Sequence, residues 1–400
     1  MVALKLPLVS IITPSYNSAD FIEAAIGSVL AQDYPHIEHI IIDGGSTDST
    51  LDILKRCEPN INWISEPDKG QADALNKGFQ RAQGEIIGWL NADDTYQPQA
   101  IPSAVRYLQA NPEVALVFGN FNFIDETGRV IYTHCTPRFS LAKLLYGNVI
   151  PNAGMFFRRR VIEEIGGLRP DLHYVLDWEF ALRLALRYRV CQAPAVWGNF
   201  RMTSGTKSVE KPDRFWPEII PVLADVTASA GGALNTHRTP ALFWAHLFGA
   251  VEYARTGRWE AAQDYLAWAL NWKMPALEEV SGLAWAIIET ATRPWHRGFS
   301  EDSSAPQTIS GLARCLGNSA IEQALRAYLD LYRGLAEITH GDRTNGRALL
   351  AESWPAIPKR GLIRFPMLKL LLNLILGTRF SLKLRSLRNR LVIRWRSYHP

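Results

Sequence analysis

Four short apolar runs, each followed by a polar turn, constrain this chain more than anything else in it. They are LVSIIT (8–13), HIEHIII (36–42), INWI (61–64) and EIIGWL (85–90). Between them lie stretches with helical spacing. Phe21, Ala25, Val29 and Leu30 share one face over roughly 18–31, and Ala72, Leu75, Phe79 and Ala82 share another from Gln71 to about Gln83. A third helix is expected after DGGSTDST (43–50), with Ser46 or Ser49 as its cap. Strand and helix therefore alternate through residue 135 or so. That order predicts a mostly parallel sheet with helices on both faces. Ligands of such sheets bind beyond the carboxyl ends of the strands. The clusters TPSYN, DGGSTD, SEPDKG and NADD each follow a strand, so they should gather along one rim.

Beyond this region the pattern changes. VALVFG, NFNFI and RVIYT read as short strands with DETG (125–128) as a hairpin turn, followed by helices near 158–166 and 177–188. From about residue 215 the chain is helical and rich in Ala, Leu and Trp, with nine of the thirteen Trp. Residues 244–270 and 325–350 each read as a helical hairpin turning at Gly257 and Gly341. Without a kept period they read as a plain helical domain rather than a repeat array. Three segments result: 1–214, a helical region 215–352 and a tail 353–400.

Four widely spaced cysteines, with no CxxC, read as free thiols in a reducing compartment. The N-terminus lacks the pattern of a secretory signal, and no run reaches the roughly 18 apolar residues that span a bilayer. The expected location is cytoplasmic. No acid follows Glu352, whereas Lys359 to Arg396 carry eleven cations against a net charge of only +4. The tail therefore calls for an anionic partner. It is either a membrane-interface helix on anionic headgroups at the inner face of the membrane or a terminal helix packed on the helical region. No nucleic-acid recognition motif accompanies it.

Asp93 and Asp94 stand side by side at the end of the fourth run. They make either a strand-end turn or a hard-cation site, since Mg²⁺ or Mn²⁺ takes one or two protein carboxylates and completes its shell with phosphate and water. The rim clusters favour the second. TPSYN offers hydroxyl and aromatic groups, Asp43 precedes two glycines, and SEPDKG with Asp73 adds acids and a base. Such a set suits a flat base, a ribose and a diphosphate. GxGxxG and GxxxxGK[ST] are both missing, so neither a dinucleotide nor a P-loop site is indicated.

Taken together, PLVSIITPSYN, IIDGGSTDST and WISEPDKGQADALNKGFQRAQGEIIGWLNADD resemble the nucleotide-sugar domain of the family 2 glycosyltransferases over about residues 7–210. The resemblance implies a GT-A fold and an inverting transferase that uses Mn²⁺ or Mg²⁺. It implies that Thr13, Pro14 and Tyr16 line the base pocket, with Asp43 near base or ribose and Asp68 and Asp73 beside them. It implies that Asp93 serves ribose and metal and Asp94 the metal. Asn91 stands where the family's DxDD begins with an acid, and Gly44 stands where the second acid of DDGS reads a uracil. The implied donor is a UDP-sugar, with dTDP or GDP sugars as alternatives. The implied acceptor is a glycan or a lipid-linked hydroxyl, as in surface polysaccharide synthesis.

Transfer to a hydroxyl needs a base. Asp177 and Glu179, in LHYVLDWEF, lie at an expected helix start, where a carboxylate also suits the helix dipole. A plain N-cap is the other reading of Asp177. The resemblance favours Asp177 as the base, with Glu179 as its partner or substitute, and Asn152 and Gly154 in the acceptor cleft. In FRMTSGTKS, Arg201 is the cation expected at the leaving diphosphate, ahead of Lys207. The competing reading is a non-catalytic nucleotide-sugar-binding scaffold on the same fold. A scaffold need not retain both metal and base groups.

Overall fold

The computed structural model describes residues 6–136, 138–203, 207, 211–272, 287, 305–317, 322–327, 330 and 348. The basic tail and most of the expected hairpin at 325–350 lie outside the described residues. The chain divides into two compact units. One comprises residues 1–245 with 296–298, and the other holds 246–295 with 299–400. The first unit thus extends about thirty residues past the boundary at 214 that composition suggests.

The first unit is built on one nine-stranded sheet. Strands β1 (Val9–Ser15), β2 (Ile37–Asp43), β3 (Asn62–Ser65) and β4 (Ile86–Trp89) lie in the order β3-β2-β1-β4, and every pair is parallel. Helices α1 (Ile22–Leu30), α2 (Thr50–Cys57) and α3 (Gln71–Arg81) connect them. β1 is central and buried at all seven positions, which explains its near-continuous apolar run. Ile11, Ile12, Ile41, Ile42, Ile87 and Trp89 are fully buried. Each such side chain contributes on the order of 1.5–3 kcal/mol of hydrophobic stabilisation. Ser49 occupies the N-cap position of α2 without making a side-chain cap, and Ser46 turns to Asp43 instead. Asp48 accepts the Thr50 N–H at 3.0 Å in their place.

Past β4 the sheet becomes mixed. NADD leads into β5 (Thr95–Tyr96) and α4 (Ala100–Ala110). β6 (Val114–Ile124) is one eleven-residue strand where the sequence suggests two, because bulges in its pairing absorb the irregular middle. β7 (Val130–His134) closes the expected hairpin. After α5 (Leu141–Leu145), β8 (Met155–Arg158) inserts antiparallel between β4 and β6. Helices α6 (Arg160–Ile165) and α7 (Leu176–Arg187) precede β9 (Arg189–Arg201), which runs parallel to β6. β5 pairs with the end of β9, Thr95 with Asn199 and Tyr96 with Gly198. This short ladder brings the two carboxylates of NADD against Arg201. It requires glycine at 198, where a Cβ would stand 1.5 Å from the Ala153 carbonyl oxygen.

α8 (Trp216–Ser229) still belongs to this first unit. α9 (Asn235–Arg255) contains the division between the units, and α10 (Trp259–Asn271) follows it, the hairpin expected around Gly257. Within the second unit, His246, Tyr253, Tyr265 and Trp268 pack ring against ring. α11 (Ala305–Leu316) packs Gly311 under the Trp259 indole. Among the described residues no helix is long and apolar enough to cross a membrane.

Candidate active site

The rim loops after β1 and β2 are stitched together by side chain–backbone bonds. Asn17, in the left-handed region at φ 47°, donates its N–H to Ser46 Oγ at 2.7 Å and accepts the Thr47 N–H at 2.8 Å. Ser18 N–H donates to Thr50 Oγ1 at 2.8 Å, Ala19 N–H to Asp48 Oδ2 at 3.1 Å, and Gly44 N–H to the Ser15 carbonyl at 2.8 Å. Of TPSYN only Tyr16 and Asn17 are exposed. Tyr16 is 63% exposed, so its ring is available to a ligand. Thr13 and Pro14 are buried, and Thr13 Oγ1 meets His39 Nε2 at 2.9 Å in the core. They lie beneath the rim, where the resemblance implied that they line the base pocket. Burial holds the His39 pKa down to about 3, so the ring is neutral.

Asp43 also acts beneath the surface. It is fully buried and accepts from Gly45 N–H (3.1 Å), Ser46 N–H (2.8 Å), Ser46 Oγ and Ser65 Oγ (2.7 Å). Four donors satisfy its oxygens, so it shapes the loop where the resemblance implied contact with base or ribose. Asp68 stands in the opposite situation. It is half-buried, accepts the Gly70 N–H at 2.8 Å, and lies over Gly44 so closely that a Cβ there would be 2.6 Å from Asp68 Oδ2. The space left by the missing second acid of the turn is taken by an acid from the next loop. Asp73 accepts the Lys69 N–H at 3.1 Å and pairs with Lys77 at 3.5 Å, which ties down the SEPDKG loop.

The adjacent acids differ sharply. Asp94 is 1% exposed; its Oδ1 accepts the Arg201 N–H at 3.0 Å and its Oδ2 accepts Asn91 Nδ2 at 3.2 Å. Burial first, and the charge of Asp93 second, push its pKa well up. Both of its oxygens are thus already engaged within the protein, where the sequence reading gave Asp94 to the metal. Asn91 is held in turn by Trp89 Nε1 and Gln71 Nε2, both at 2.9 Å from its Oδ1. Asp93 is half-buried, and burial raises its pKa against the pull of Arg201 and Lys207. Its carboxylate receives only its own main-chain N–H among the described residues. No cluster of three or more His, Cys, Asp or Glu that could hold a metal occurs among the described residues. A single carboxylate fits a cation whose other ligands are diphosphate and water, and does not fit an all-protein cage.

Arg201 is placed differently from the expectation too. It is 4% exposed; Nε donates to the Asp93 carbonyl at 2.8 Å, and Nη1 donates to the carbonyls of Asp125 and Glu126 at 2.9 Å each. Its guanidinium also lies 4.8 Å from the centre of the Phe21 ring. Arg201 is a buried brace that locks NADD to the β6–β7 hairpin. The cation nearer the cleft is Lys207. Its Nζ donates to the His173 carbonyl at 3.2 Å, and its charge is felt by Glu218, Asp177 and Asp93.

Asp177 is the second residue of α7. It is half-buried, and burial raises its pKa to about 6 despite bonds from Trp178 N–H (2.7 Å), Asn152 and Asn148 Nδ2 (2.9 Å). At neutral pH it is ionised and basic enough to take a proton. Glu179 is 3% exposed and makes a bidentate pair with Arg183 at 2.6 and 2.9 Å. Arg183 also donates to the Ile165 and Gly167 carbonyls. Glu179 therefore secures α7 to the turn after α6, and it is not placed to replace Asp177. Sequence reasoning missed Asn148 and Glu218 because nothing local marks them. A cavity of about 440 Å³ lined by Asn76, Phe79, Arg159, Glu163 and Leu168 contains none of these groups.

The family model for glycosyl transferase family 2 matches residues 10–166. An uncharacterized glycosyltransferase of Mycobacterium tuberculosis, Rv1514c, is 38% identical over 190 residues, which is 46% of this chain and 71% of that protein. A putative teichuronic acid biosynthesis glycosyltransferase of Bacillus subtilis, TuaG, is 38% identical over 126 residues, covering 30% of this chain and 50% of its own. Among solved structures, S. aureus TarS 1–349 in complex with UDP-GlcNAc superposes with a TM-score of 0.50 at 17% identity, covering 88% of this chain and 93% of that one. That likeness bears on the fold alone, which is of the GT-A type with a helical C-terminal region. The matched residues carry the rim from TPSYN to NADD, and the chain belongs to glycosyltransferase family 2.

Proposed function

We propose that this protein transfers a sugar, with inversion, from a nucleotide-sugar donor to a hydroxyl of a glycan or lipid-linked acceptor in surface polysaccharide synthesis. One observation carries the reading. Lys207 Nζ donates to the His173 carbonyl at 3.2 Å, in the turn that leads to Asp177, and lies 3.5 Å from Gln71 Oε1, whose amide holds Asn91 of NADD at 2.9 Å, so a cation links the loop of a donor-side acid to the turn of an acceptor-side base. A binding scaffold would have no use for a basic carboxylate opposite the donor site. The kinship to TuaG supports the polysaccharide setting.

In this reading the base of the nucleotide stacks on Tyr16, and Asp68 accepts from its ring N–H over Gly44. Asp93 would hold a Mn²⁺ or Mg²⁺ ion, which neutralises the diphosphate when bound. Lys207 meets the leaving diphosphate from the other side. Asp177, fixed by Asn148, Asn152 and Trp178 N–H, removes the proton of the acceptor hydroxyl as that oxygen attacks the anomeric carbon. Attack opposite the leaving group inverts the configuration without a covalent sugar–enzyme intermediate. The basic tail would hold the enzyme to anionic headgroups beside a lipid-linked acceptor.

The test is a thermal-shift panel of UDP, dTDP and GDP, each with and without Mn²⁺. A ligand that binds only the native state raises its melting temperature by mass action. A Mn²⁺-dependent shift with one nucleotide, abolished in Asp93→Asn, supports the donor site and names the base. No shift with any of them at millimolar concentration sinks the reading.

A further inference from the structure

α7 bonds its own first turn through Asp177, which accepts the Trp178 N–H at 2.7 Å, and not through its N-cap residue. Its N-cap position is Val175, an apolar residue that makes no side-chain bond to the first turn. The N–H groups that lead into a helix need acceptors. Here they find one far away in the chain. The Glu218 carboxylate, in the first turn of α8, accepts from His173 N–H at 2.9 and 3.1 Å, Tyr174 N–H at 2.8 Å and Val175 N–H at 3.1 Å. Three successive N–H groups around one carboxylate form an anion-binding nest filled from within the protein. Tyr174 also packs on Phe215 with ring centres 5.1 Å apart, and Arg169 pairs with Asp225 at 3.4 Å. α8 thus holds the turn that delivers Asp177.

The same turn faces the donor loops. The His173 ring lies against Gly70, where a Cβ would be 3.5 Å from His173 Nδ1. Lys207 Nζ donates to the His173 carbonyl at 3.2 Å and approaches Gln71 Oε1 at 3.5 Å. Residues 173–175 are therefore gripped by Glu218 on their N–H groups and by Lys207 on a carbonyl, next to the loop that carries Asp68.

We propose that Glu218 is a positioning residue for transfer: by closing the nest at 173–175 it sets Asp177 against the donor loop and Lys207. This rests on the assignment of Asp177 as the base. Glu218, like Asp177 and Lys207, lies beyond the residues 10–166 matched by the family model.

The experiment compares Glu218→Ala, Glu218→Gln and Asp177→Asn in the full chain. Nucleotide release is followed from UDP-GlcNAc, dTDP-glucose and GDP-mannose, with water as the hydroxyl that Asp177 deprotonates and the sugar released to it, and amide exchange is followed in a peptide spanning 172–178. Glu218→Ala should lower kcat roughly 10²-fold, the scale of a 1 Å misplacement, and leave donor KM and the nucleotide-induced thermal shift within about twofold. Glu218→Gln keeps one acceptor oxygen and should fall between, which keeps the test alive if the alanine variant fails to fold. Exchange at 173–175 should quicken in both. A merely structural clamp would lower the melting temperature and leave kcat unchanged. Wild-type kcat in both Glu218 variants, with Asp177→Asn inactive, overturns the inference and leaves the base assignment standing. Wild-type kcat in Asp177→Asn overturns the base assignment, and the inference with it.

Discussion

The donor half and the acceptor half of the first unit hold their loops in different ways. Around the donor rim, most bonds that shape the site join neighbouring loops at the ends of adjacent parallel strands. Asn17 reaches Ser46 and Thr47, and Asp43 gathers Gly45, Ser46 and Ser65. On the acceptor side, the turn before α7 is held by Glu218, more than forty residues away, and Asp177 is held by Asn148 from another loop. A rim built from strand-end loops inherits its geometry from the sheet. A carboxylate at a helix start whose preceding turn lacks acceptors of its own needs outside support.

The comparison is broken most severely by losing the base. Asp177→Asn should reduce kcat by roughly 10²–10⁴-fold and leave the Mn²⁺-dependent nucleotide shift intact. In the wild type, kcat/KM should rise with pH through about 6 as Asp177 ionises, and a pH–rate series checks this. If the nucleotide shift disappears together with activity, the two halves are not separable as described.

Next in size is the seam between the halves. Gly198→Ala puts a methyl against the Ala153 carbonyl, and both residues are buried. Overpacking of this kind costs about 1–3 kcal/mol or more, to be read from urea unfolding. Unchanged stability would show that β9 is not tightly packed against the turn at Asn152–Gly154.

Asp93 and Asp94 sharpen the comparison within one loop. Asp93→Asn should abolish the Mn²⁺ dependence of nucleotide binding with little effect on stability. Asp94→Asn should keep that dependence and lower the melting temperature, because an amide cannot accept at both oxygens from Arg201 N–H and Asn91. Equal behaviour of the two variants in the thermal-shift panel would refute the division of labour.

A smaller effect lies beneath the donor rim. The folded pKa of His39 is depressed to about 3 from an ordinary 6.5. The unfolded chain therefore binds a proton that the folded chain refuses. The stability associated with His39 is complete above pH 6.5 and is lost as pH falls toward 3. Between pH 6.5 and 5 the loss is about 2 kcal/mol. His39→Gln should flatten that part of the stability–pH curve, and Asp177, with its raised pKa, contributes the opposite slope in both proteins. The smallest effect expected is at the exposed pair Arg189–Glu113, side chains 69% and 50% exposed. Arg189→Ala should stay within about 0.5 kcal/mol of wild type.

Much of the fold was legible. Strands 8–13, 36–42, 61–64 and 85–90 match β1 to β4 within one or two residues, and the helix at 177–188 matches α7. Each of these signals is local: apolar runs, helical spacing, turn residues. The reversal of β8 was not legible, because PNAGMFFRR reads the same whether its strand runs up or down. Among the candidate site residues, the structure gives chemically similar side chains different surroundings. Arg201 and Lys207 lie six residues apart and look alike as cations, yet one is buried among carbonyls and the other is exposed, with its Nζ at the His173 carbonyl and Gln71.

The sequence alone determined the parallel donor half, the rim of polar loops, the family and the two carboxylate-bearing elements, since all of these follow from periodicity and short motifs. Tertiary structure decided which of two adjacent acids is available to a ligand, which cation faces the cleft, and how an acid after β3 comes to lie over Gly44. It also decided that a carboxylate on α8 holds the turn before α7. The reason is that burial and hydrogen bonding choose among chemically equal side chains only once distant segments are brought together.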